Sequence, residues 1–170
     1  MSTSFEIPEV DALTTDAIGP PGQRVFYLQA RQGTQVVSLR LEKTQVAALV
    51  TYLGTLLSDL PTPDDMPTEM DLVEPVVAEW VVGSLGVSYD EDADRVVLVA
   101  EEMVDEDSAA DEGGDAARAR ITATRAQIAA LAQRGAEVVE AGRPPCPLCG
   151  QPMNPEGHMC IRLNGHRQTS

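Results

Sequence analysis

The apolar positions of this chain recur every second residue in some stretches and at helical spacing in others. Residues 4–18 follow a strand pattern that Pro8 interrupts, and Gly19-Pro20-Pro21-Gly22 is a turn signal. Arg24–Arg31 reads as a strand carrying Val25, Phe26 and Tyr27. Gln32-Gly33-Thr34 can reverse the chain, and Val37, Leu39 and Leu41 then share one face opposite Ser38 and Arg40. The two runs predict an antiparallel hairpin. A helix follows over 42–57, because Val46, Leu49, Val50, Leu53, Leu56 and Leu57 fall on one stripe. Residues 58–75, with four prolines and six acids, read as a linker.

The pattern then returns to period two. Val81, Leu85, Val87 and Tyr89 fall within a run over 76–89, 90–95 turns the chain, and 96–102 runs back as a second hairpin. Residues 105–115 carry no apolar side chain larger than alanine, so they cannot offset their ordering entropy and are expected to be mobile. A short strand over 118–123 leads into a second helix over 124–140, opened by a Thr124/Gln127 capping box and ended by Gly142.

The two strand–helix passages resemble each other. Aligning 37–49 with 119–131 matches Gln45 with Gln127, Ala47 with Ala129, Ala48 with Ala130 and Leu49 with Leu131. The expected architecture is therefore α+β: two antiparallel hairpin-plus-helix units suggesting an internal duplication. They form a body over 1–142 with acidic linkers at 58–75 and 105–115, followed by a tail over 143–170.

Composition refines this picture. At 170 residues and 43% apolar content the chain can build a core, so wholesale disorder is excluded. No apolar run is long enough to span a bilayer, and Met1–Val10 has neither a basic nor an apolar leader segment. Its three cysteines are clustered rather than spread as a disulfide framework. The net charge of −15 is unevenly placed. Residues 58–115 hold 19 acids and one base, a net −18, and the remainder is mildly basic. Such a middle repels phosphates, which argues against nucleic acid as a partner.

The tail carries the clearest chemistry. All three cysteines and both histidines lie between Cys146 and His166. Cys146-x-x-Cys149 places two thiolates on one turn, Gly150 suits a knuckle, and His158 with Cys160 face one side of an extended segment. The spacing predicts one zinc on Cys146, Cys149, His158 and Cys160, forming a zinc knuckle. A redox pair and inert thiols are the competing readings, although no strand-to-helix turn follows the cysteine pair. A second acidic array, Asp90, Asp92 and Asp94 with Glu101, has the spacing of a calcium loop. Arg95 stands where such a loop requires glycine, so an acidic hairpin tip is expected instead. The single lysine, Lys43, follows no glycine-rich loop, which excludes a P-loop; neither G-x-G-x-x-G nor G-x-S-x-G occurs.

Gly19-Pro-Pro-Gly-Gln-Arg-Val-Phe-Tyr-Leu-Gln-Ala30, Glu79-Trp80-x-Val82-Gly83 and the ending from Ala141 through Cys146, Cys149, Gly157-His158 and Cys160 to Asn164-Gly165 resemble the actinobacterial domain of unknown function family 3090. The resemblance covers essentially the whole chain. It implies an actinobacterial cytoplasmic protein and no particular activity. It also implies that members carry Cys-Pro-Arg where this chain has Cys160-Ile161-Arg162, and an aromatic residue at the position of His166.

The leading expectation is a non-catalytic interaction or regulatory protein with a structural zinc, its partner another protein. Two alternatives stand beside it. One is a metal-dependent enzyme with an open zinc position and Glu156 as base. The other is nucleic-acid binding through Arg143, Arg162, His166 and Arg167.

Overall fold

A computed structural model describes residues 2–20, 22–104 and 116–141. The elements are β1 (Phe5–Ile7), β2 (Ala12–Ile18), β3 (Val25–Gln32), β4 (Gln35–Leu41), α1 (Lys43–Ser58), β5 (Ala78–Asp90), β6 (Arg95–Glu102), β7 (Arg118–Ala123) and α2 (Arg125–Ala141). Each expected period produced the expected element, and the fold is mixed α+β. The segment 105–115 and the tail beyond Ala141, with the expected zinc knuckle, lie outside the described residues.

The two expected antiparallel hairpins form, as β3–β4 and β5–β6, within a larger sheet. All strands join one seven-stranded sheet in the order β1-β7-β6-β5-β4-β3-β2. Each unit is a three-stranded antiparallel meander followed by a helix: β2-β3-β4-α1, then β5-β6-β7-α2. Parallel pairing of β4 with β5, and of β1 with β7, joins the units. Alternation reports which face of a strand is buried. It carries no information about which strand lies alongside, so the junctions were not readable.

This sheet cannot be flat. Ile7 and Ala12 stand five residues apart, a reach of at most about 17 Å, whereas the outer strands of seven laid flat would lie about 29 Å apart. The sheet therefore curls until its edges meet. The turn around Pro8 makes the seam: Val10 N–H donates to Thr122 O of β7 (3.2 Å) and Asp11 N–H donates to Arg31 O of β3 (2.7 Å). Taken together, β1 and β2 act as one broken strand bridging β7 and β3. On the other side β5 bridges β4 and β6, with a register shift between Val82 and Ser84.

The two units match in register. Phe26–Leu41, Leu28–Leu39 and Ala30–Val37 of the β3–β4 ladder correspond to Val96–Ala123, Leu98–Ile121 and Ala100–Ala119 of the β6–β7 ladder. Gln45 and Gln127 correspond in chemistry as well. The Gln45 Oε1 accepts the Glu42 N–H (2.8 Å), and the Gln127 Oε1 accepts the Thr124 N–H (2.9 Å), so each caps its helix. Each Nε2 then donates to two carbonyls at the seam opposite: Gln45 to Val82 O (3.0 Å) and Gly83 O (3.4 Å), Gln127 to Val10 O (2.8 Å) and Asp11 O (3.5 Å). One side chain thus fixes both a helix start and the strand break it faces.

The core is continuous. Leu28, Leu39, Val82, Leu98 and Ile121 of the strands are buried with Val46 and Leu53 of α1 and Ile128 and Leu131 of α2. The linker is also held: Gln29 Nε2 donates to Val73 O (3.1 Å), its Oε1 accepts the Val73 N–H (2.8 Å), and Thr14 Oγ1 donates to Met70 O (2.6 Å). This accounts for burial of the polar Gln29 and Thr14.

The helices pack against each other where α2 has Gly135. A Cβ there would stand 2.6 Å from Val50 Cγ2. Gly135→Val should therefore cost about 1–3 kcal/mol by overpacking, read as a lower urea midpoint at an unchanged slope.

Candidate functional site

The corresponding helix–strand seats of the two units differ, and the difference leaves an opening. In the second unit α2 lies along β2, over the face that carries the buried Leu13 and Thr15. Two residues bring it there. A Cβ on Gly135 would already touch Thr15 Cγ2 at van der Waals distance (3.5 Å), so a side chain as large as leucine has no room between helix and strand there. Arg134 Nη2 then donates to Asp16 Oδ2 (2.7 Å) and fastens the contact.

In the first unit neither device is present. Leu53 stands at the position matching Gly135, and Tyr52 and Ser88 match Arg134 and Asp16. Consequently α1 stands off β5, and between them runs a cavity of about 410 Å³ lined by Gln45, Leu49, Tyr52, Gly83, Leu85 and Val87. Leu85 and Val87 are half-buried, and Tyr52 is 56% exposed. Among the described residues, β5 beyond Val82 pairs with β6 alone. Its other edge, over 84–89, has no backbone partner among the described residues and lies beside the cavity. Gly83 shapes this edge, since a Cβ there would meet Met103 Cα at 2.8 Å.

The acidic tip of the β5–β6 hairpin stands at the end of β5 away from Gly83. The expected hairpin tip is what forms. Asp90 Oδ1 accepts the Ala93 N–H (3.2 Å), and Arg95 Nη1 donates to Asp94 O (3.0 Å). Glu101 lies away on β6, paired with Arg118 (2.7 Å). Asp94, at φ 53°, turns its carboxylate to Arg125 Nε (2.7 Å) and Nη2 (3.1 Å) and to the Tyr89 hydroxyl (2.6 Å). Arg125 also donates to Pro61 O, joining the hairpin tip, the start of α2 and the linker.

The Arg125 hydrogen bonds, then that from Tyr89, hold the Asp94 carboxyl down at about 2. Its folded value lies below the ordinary one of about 3.9, so the stabilisation is complete above that value and is lost as pH falls through about 2. Asp94→Asn should abolish this loss. Melting temperatures followed from about pH 5 down to about pH 2 should fall further for the wild type than for the variant.

Cavities also open elsewhere in the described body. One, of about 920 Å³, opens over the outer face of β1, β7 and β6, where Arg118 pairs with Glu101 (2.7 Å) and Arg120 with Glu6 (3.6 Å). Another, of about 270 Å³, lies between β2 and the linker at Pro67–Met70.

The expected zinc ligands Cys146, Cys149, His158 and Cys160 lie outside the described residues, as do Glu156, Arg143, Arg162, His166 and Arg167. Among the described residues no group of three or more His, Cys, Asp or Glu side chains is placed to hold a metal. None of the described helices is long and apolar enough to cross a membrane. Sequence reasoning missed the α1–β5 opening. Its one trace in the sequence is the substitution of Tyr52, Leu53 and Ser88 for Arg134, Gly135 and Asp16 between otherwise matching units.

No curated protein and no solved structure matches the chain. A family model does match, over residues 5–160, and the chain belongs to the family described as Protein of unknown function (DUF3090).

Proposed function

We propose that this is a non-catalytic protein-interaction module of the actinobacterial cytoplasm, with a tail stapled by one structural zinc. The observation that carries the interaction reading is the uncharged opening between α1 and β5, set beside a free sheet edge. Free edges left uncovered are templates for pairing with another chain. We read the two units as copies of one strand–helix passage. The copy in which the helix seals onto its strand then serves as the reference for the copy in which it does not.

The zinc reading rests on ligand chemistry. Cys146, Cys149, His158 and Cys160 supply three thiolates and an imidazole, the donor set of closed structural sites. The test is cobalt substitution of the full chain. A closed site should show intense thiolate-to-cobalt absorption that azide leaves unchanged. A spectrum that shifts with azide would reveal an exchangeable position and favour the metal-dependent enzyme, with Glu156 as its base.

A further inference from the structure

We infer that the α1–β5 opening receives an extended, basic segment of a partner protein, which adds as a strand to the free edge of β5 over 84–89. The inference rests on the reading of the chain as an interaction module and names the chemistry of what it takes. Three observations converge on it.

The first is the edge itself. Gly83-Ser-Leu-Gly-Val-Ser-Tyr89 contains no lysine, proline or inward charge, the devices that usually guard an exposed strand. Leu85, Val87 and Tyr89 share one face and are half-buried, whereas the matching Leu13 and Thr15 are buried under α2. An added strand would gain main-chain hydrogen bonds along β5 and pockets for alternate side chains.

The second is the cavity, whose walls are Leu49, Tyr52, Leu85 and Val87 with the Gln45 amide at its inner end. Gln45 is already committed to the Val82 and Gly83 carbonyls, so the floor is polar only where it is satisfied. Apolar side chains therefore fit it, and an unpaired charge does not.

The third is the charge at the outer end. Arg125 bonds both Asp94 and Pro61 O, which brings the linker that follows α1 against the hairpin tip. Asp59, Asp64, Asp65, Asp90, Glu91 and Asp92 are all exposed in those segments, with Arg95 the basic residue of the tip. A strand running antiparallel to β5 would bring its N-terminal end there. Basic residues at that end are attracted, and acidic ones are repelled.

The experiment uses the full zinc-loaded chain and two labelled synthetic peptides, Arg-Arg-Ile-Thr-Val-Thr-Val-Ser and the same sequence opening with Glu-Glu. The arginine peptide should bind saturably and slow amide exchange over 84–89, and the glutamate peptide should bind at least about tenfold more weakly. Tyr52→Glu and the double change Glu91→Lys, Asp92→Lys alter exposed positions. Each should melt as the wild type does and weaken the arginine peptide about tenfold or more. Absence of binding, or binding indifferent to both variants, would overturn the inference. So would edge amides already protected in the free chain: protection lost on dilution would identify a second copy as the occupant, and protection independent of concentration would identify the chain itself. Failure here leaves the cobalt result standing, and an open cobalt site leaves the peptide result standing, so the two readings fail separately.

Discussion

Leu53→Asp should abolish folding of the body, whereas Tyr52→Glu, one position earlier on the same helix, should leave its melting unchanged. Leu53 is fully buried, and Tyr52 is more than half exposed. Truncating a buried leucine to alanine costs about 2–5 kcal/mol through lost transfer energy and the cavity left behind. Aspartate adds to this the desolvation of a carboxyl among Val46, Leu49 and their neighbours in the core, where none of the described charged residues is buried. The combined cost is comparable with the whole stability of a domain, about 5–15 kcal/mol. Circular dichroism and urea titration of the two variants decide the matter. A cooperative, wild-type-like transition for Leu53→Asp would mean that α1 is not integral to the core.

The contrast between these neighbours also shows what the sequence could reveal. Leu53 belongs to a stripe of helical period, and that stripe alone places it inside. The Thr124/Gln127 box was readable too, because a cap is a local event between residues three apart. The resemblance of 37–49 to 119–131 was visible as letters, and the structure gives it content. Gln45 and Gln127 perform the same pair of tasks, and the ladders leading to them share one register.

What could not be read depends on contacts distant in sequence. Burial of Gln29 results from the linker passing at Val73, 44 residues away. The closing of the sheet depends on a seam at Val10 and Asp11 that reaches β7 and β3 together. The α1–β5 opening arises from Tyr52, Leu53 and Ser88 standing where the other unit has Arg134, Gly135 and Asp16. Each of these is unremarkable alone, and the consequence emerges only when helix and strand are set side by side. A polar residue at an alternate strand position, as Gln29 is, reads locally as solvent-facing, so its cover had no local signal.

Removing a single ligand should separate the metal site from the body. With zinc on Cys146, Cys149, His158 and Cys160, His158→Ala or Cys146→Ser should lose bound zinc, and His166→Ala should keep it. The tail from Gly142 to Ser170 offers only Leu148, Met153, Met159, Ile161 and Leu163 as sizeable aliphatic or thioether side chains, too few to order a segment unaided. A structural zinc contributes about 10–16 kcal/mol of apparent binding free energy in small peptides near neutral pH, ample for such a staple. The described core, by contrast, extends from Ile7 to Val138 and includes stripes from both helices. Chelation should therefore release zinc while the main urea transition of the body stays in place. The comparison of the two histidines is decisive because they differ in placement rather than chemistry: His158 stands two residues before a thiolate, and His166 stands six after it. Zinc lost from His166→Ala but retained by His158→Ala would exchange the fourth ligand. A wild-type chain without zinc would remove the site and, with it, the staple.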